Sequence, residues 1–135
     1  MINDIETAIV TRLTSQISGA DIRAFPESAE EFSRLPLGRP RIFVAYAGSA
    51  FSEPTNKDVI IQEQLLEFEI TVQMRNLREH NGAYSYLESV YSALSGFSPE
   101  SDSRVMYVTA ERLVSFENNV WTWMQTWQLR ERRSQ

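Results

Sequence analysis

Apolar and polar residues alternate most clearly in Leu65–Arg75, LLEFEITVQMR. Leu66, Phe68, Ile70, Val72 and Met74 are interleaved with Glu67, Glu69, Thr71, Gln73 and Arg75. Side chains alternate between the two faces of a strand, so this pattern predicts a strand with one dry face, as in an antiparallel sheet covered on one side. The strand can begin as early as Val59. Arg41–Ala47, RIFVAYA, is rich in β-branched and aromatic residues and predicts a second strand. It puts Ile42, Val44 and Tyr46 on one face and Phe43 on the other, which suits an interior position. Between the two lies Gly48–Asp58, a polar loop with Pro54 and the turn residues Asn56 and Asp58. Residues 41–47 and 59–75 together read as a long hairpin with a loose tip.

Two segments carry the helical period instead. In Asn3–Ser18, Ile2, Ile5, Ile9, Leu13 and Ile17 form one stripe with Val10 beside it. Asn3 and Glu6 make a capping-box pair at its start, and Gly19 is a natural stop. In Arg78–Ser95, Tyr84, Leu87, Val90, Tyr91 and Leu94 share a face, and Gly96 ends the helix. Asp21–Phe25 is a short extended piece closed by Pro26. Ser28 followed by Glu31 caps one short helical turn carrying Phe32 and Leu35, and Pro36, Gly38 and Pro40 prevent anything longer. Arg104–Phe116 predicts a strand, bulged or bent near Glu111 and Arg112. Glu117-Asn118-Asn119 is a hairpin turn, because Asn tolerates positive φ. Val120–Arg130 is the last strand, and Arg130–Gln135 reads as a frayed polar tail. The order is helix, short strand, two long strands, helix, two-strand hairpin. It predicts an α+β two-layer sandwich, with a mainly antiparallel sheet of about four strands and two helices packed on one face.

All three Trp fall within the last strand, VWTWMQTWQL. Trp121, Trp123, Trp127 and Leu129 share one face and read first as core. The opposite side, with Val120, Thr122, Met124, Thr126 and Gln128, is more apolar than a solvated face requires. Phe43 gives the hairpin strand the same two-sidedness. The expectation is that the second sheet face is also covered, by another subunit.

The 135 residues fit one domain of ordinary globular composition, 42% hydrophobic and 23% charged. The net charge of -5 argues against nucleic-acid binding through a broad basic surface. Lys57 is the only Lys against twelve Arg, and Arg suits planar ion pairs at interfaces. With no Cys, disulfides, thiolate chemistry and Cys-based zinc sites are excluded. The acidic N-terminus MINDIETAIV does not match a signal peptide, and no run approaches a membrane span. The expectation is a soluble protein without membrane contact. His80 is the only histidine and sits in the polar segment REHNG, which reads as solvated or capping rather than catalytic. There is no glycine-rich phosphate loop. Glu67 and Glu69 are explained by the polar face of their strand, without acid–base chemistry. No enzyme, metal or cofactor is expected.

The opening helix MINDIETAIVTRL, the strand LLEFEITVQMRNL, the helix YSYLESVYSALSG and the ending VSFENNVWTWMQTWQLRERR carry a family likeness. In this order they resemble the tail-terminator, or tail-completion, proteins of Mu-like long-tailed phages and of phage-tail-like contractile injection systems. The resemblance spans nearly the whole chain through element order rather than an invariant motif. It implies a ring, hexameric in such proteins, that caps the head-proximal end of the tail tube and halts its polymerisation. It also implies partners in the tube protein and in sheath, neck or head proteins, and assembly in the bacterial host cytoplasm. A head–tail connector and a small dimeric ligand-binding domain with an aromatic pocket are the alternatives. No family residue transfers by position, so the contact residues come from the chain itself. The long loop supplies Ser49, Phe51, Glu53, Asn56 and Lys57. The hairpin and tail supply Trp127, Arg130, Arg132 and Arg133, with Glu67 and Glu69 of a neighbouring subunit as acidic partners for the Arg.

Overall fold

The alternating stretch lies at the centre of a five-stranded sheet. The computed structural model describes residues 1–33, 38–54, 58–78, 82–100 and 104–134. In chain order the elements are α1 (Ile2–Gln16), β1 (Asp21–Ala24), α2 (Ala29–Ser33), β2 (Arg41–Phe51), β3 (Ile61–Met74), α3 (Ala83–Leu94), β4 (Tyr107–Glu117) and β5 (Val120–Ser134). The strands are ordered β1-β2-β3-β5-β4. Only β1 with β2 is parallel; the other three pairs are antiparallel. The class is α+β as expected, with five strands rather than about four and three helices rather than two among the described residues.

The dry face of β3 packs under α1 and α3. Leu66, Phe68, Ile70, Val72 and Met74 join Ile42 and Val44 of β2 and Trp127 and Leu129 of β5 in one core. From above, α1 contributes Ile5, Ile9 and Leu13, and α3 contributes Leu87, Val90 and Leu94. Each such side chain taken fully from water stabilises the fold by roughly 1.5–3 kcal/mol before chain entropy is charged against it.

Several boundaries depart from the sequence reading. Helix α1 begins at Ile2 with no side-chain cap bond, so the Asn3–Glu6 box does not form. Instead the Glu6 carboxylate takes the Tyr46 backbone N–H of β2. Helix α3 starts at Ala83, five residues later than the expected Arg78, and its first amides are held by Asn76 O and Leu77 O. Ser28 does cap α2, its Oγ accepting from Glu31 N at 3.0 Å. Strand β2 does not end at Ala47. The ladder skips that residue as a bulge and resumes with Gly48 opposite Glu67. A bulge of this kind lets a strand continue through a Gly that reads as a turn. Gly48 itself takes φ 140, open to Gly and strained for other residues. Strand β5 likewise runs on to Ser134, because Arg130 to Ser134 pair with Leu65 to Ile61. Up to Ser134 the tail is therefore sheet, not frayed coil, and Gln135 lies outside the described residues.

The β4 bulges fall at Thr109 and Val114, on either side of the expected Glu111 and Arg112. The Asn118-Asn119 turn forms as read, with φ of 53° and 61°. Phe43 does sit on the face opposite α1 and α3, but a second subunit is not what covers it there. Phe25 and Phe32 of the same chain close over it with ring centroids 5.3 and 5.7 Å away. Arg41 lies over the Phe32 and Phe43 rings, and burial pulls its guanidinium pKa down.

Candidate assembly surfaces

Strand β4 is the long free edge of the sheet. Among the described residues it pairs only with β5, and nine of its eleven residues are exposed. Cross-strand neighbours share a face, so its pairing places Val108, Glu111, Leu113 and Phe116 on the side of α1 and α3. The helices do not reach that far. Leu113 and Phe116 stay 44% and 50% exposed, and Tyr84 of α3 stays 43% exposed beside them. Phe116 stacks on Trp121 at 4.2 Å, and Tyr84 meets Trp123 edge-on at 6.0 Å. The result is an aromatic surface along one sheet edge, built by α3, β4 and β5. Exposed apolar surface joined to an open strand edge is the combination that proteins normally blunt unless it is used.

Beneath it lies the polar node that the sequence reading passed over. Gln125 is buried on the apolar face of β5, between Trp123 and Trp127. Its Nε2 donates to Leu87 O of α3 at 3.1 Å and to Glu111 Oε1 of β4 at 2.8 Å. Its Oε1 accepts from Trp127 Nε1 at 2.9 Å. One side chain thus ties helix, edge strand and central indole together. The only sequence signal was its odd position among the Trp.

The contact residues read from the sequence do not form one patch. Trp127 is fully buried, so it supports the surface from inside, while Trp121 and Trp123 are the indoles that reach outward. Ser49 and Phe51 lie in β2, not in a loop. Ser49 Oγ meets Tyr46 OH and accepts from Gln64 Nε2 at 2.9 Å, whereas Phe51 is 55% exposed. Glu53 is exposed beyond the strand end; Asn56, Lys57 and His80 lie outside the described residues. Glu67 and Glu69 are half-buried on the face away from α1 and α3. Arg130 and Arg132 share that face by register, while Arg133 is on the helix side; all three are exposed. A shallow cavity of about 230 Å³ brings Arg130 together with Ala50, Phe51 and Leu65. Arg104 pairs with Glu63 at 3.3 Å near the same end.

Among the described residues no group of three or more His, Cys, Asp or Glu could hold a metal ion. No described helix is long and apolar enough to cross a membrane.

The Gp37 protein family model matches residues 9–130. The chain belongs to the Gp37 family. Among solved structures it is similar in fold to a chain of the virion of a native gene transfer agent particle. That likeness has a TM-score of 0.57 at 13% sequence identity and covers 93% of this chain and 92% of the other. Comparison with curated protein sequences gives no match. Gp37 membership and the virion-chain fold both agree with the resemblance to phage-tail proteins.

Proposed function

We propose that this Gp37 protein is a structural subunit of a phage or phage-like particle. Its copies close into a ring, about six by the resemblance, that caps the head-proximal end of the tail tube and stops its growth. The observation that carries this reading is the fold shared along 93% of the chain with a virion chain. The aromatic edge supports it, because a subunit that assembles needs apolar surface to bury. The role requires no catalysis and no cofactor. The ring would form in the host cytoplasm and offer its outer surfaces to sheath, neck or head proteins.

The test is tube growth. Tail-tube subunits polymerised with the protein present should give short tubes, with a ring visible by electron microscopy at one end only. An unchanged length distribution and bare tube ends would contradict the capping role.

A further inference from the structure

The ladder places the two edges of the sheet at the same height. Leu113, Trp123, Val72, Ile42 and Ile22 form one cross-strand row running from β4 to β1. The next row outward ends in Ser115 on β4 and Asp21 on β1. The segment Glu111–Ser115 is therefore level with the whole of β1. Directions also match. Three antiparallel steps and one parallel step separate the edges, so β4 and β1 run opposite ways. Rotation about an axis along the strands keeps those directions, and β4 of one copy then meets β1 of the next as an antiparallel pair.

We propose that copies join head to tail through this edge, β4 of one pairing with β1 of the next, so that the sheet continues around the ring. The proposal deepens the ring assembly and rests on it. Side-chain chemistry fits a second copy. Leu113 is exposed on the helix side and arrives beside Ile22, which is partly buried on that same side against the core. On the other face Ser115 arrives opposite Asp21 as a hydroxyl donor to a carboxylate. Arg112 comes level with Arg23, a like-charge pair that the Asp21 carboxylate, 2.9 Å from Arg23 in the neighbouring row, offsets. Edge β4 has neither Pro nor Lys, its Val114 bulge is the one feature inside the pairing segment that opposes a straight ladder, and β1 is too short to template indefinite growth. A heterologous contact of this kind closes when its rotation divides a full turn.

The absence of Cys makes the test clean. Copies carrying Leu113→Cys and Ile22→Cys, mixed and mildly oxidised, should form a covalent dimer only as the mixed pair. The double variant should give a ladder ending at the ring, with most of the monomer band lost. Ser115→Cys with Asp21→Cys is the second pair, used if either apolar substitution lowers the melting temperature. Cross-linking of Leu113→Cys to itself would place β4 on β4 about a two-fold and overturn the proposal. Rings of unchanged mass that resist both disulfide formation and a short bis-maleimide would overturn the edge pairing and leave the ring standing. Monomers at every concentration, without cross-links, would overturn both.

Discussion

Glu6 shows how one carboxyl serves two ends of the molecule. It belongs to the first turns of α1, yet its oxygens face the part of β2 that β1 no longer covers, where they take the Tyr46 N–H. Burial raises its pKa above the ordinary 4.5; the Tyr46 bond works against that rise, and the charge of Glu27 adds to it. A carboxyl with a raised folded pKa binds its proton more tightly in the native state than in the unfolded chain. Its contribution to stability is therefore complete below the ordinary value and is lost as pH rises through the folded value. Gln in its place accepts the same N–H and never ionises. Glu6→Gln should thus gain melting temperature relative to the parent as pH is raised from 4 to 7. A difference that stays constant across that range would show that Glu6 does not titrate in this way. The residue was legible in the sequence only as half of a capping box, because the strand edge it serves is forty residues away.

At the scale of elements, the hairpin β4–β5 is held to α3 by Gln125 as much as by its indoles. Gln125→Ala leaves Trp127 Nε1 and Glu111 without their bonds and should cost about 1–3 kcal/mol, read as a shifted denaturation midpoint. An unchanged midpoint would mean that the network adds nothing. The strands that alternate cleanly were legible because one face must be dry, and the Asn118-Asn119 turn because few residues accept its φ. Three features were not. Gln125 occupies an apolar row as a polar residue, and only the carbonyl above it makes that tolerable. Residues 48–51 of β2 read as loop because Gly48-Ser49 resembles a turn, whereas β3 opposite them decides for strand. Residues 131–134 of β5 are charged and polar, with little intrinsic strand preference, and are extended by pairing with β3. Pairing partners distant in sequence settled each of these. The same reason hid the aromatic edge, since Tyr84, Phe116 and Trp121 come together only once the sheet order is known.

At the scale of the whole molecule, the surface divides into a helix layer, a partly covered opposite face and the outer strands β4 and β1. A typical specific interface takes about 800 Å² from each partner. Two such interfaces per copy would use roughly a fifth of the 8155 Å² this chain exposes. In the proposed ring, a net charge of -5 would oppose non-specific association of free copies before the edge is covered. Ring formation is the claim on which the capping role and the edge pairing both depend. The direct measurement is molar mass by light scattering over a concentration series, with negative-stain images of the same samples. A closed species of about six chain masses that images as a ring and grows no further is the expected result. A compact dimer at every concentration would contradict it.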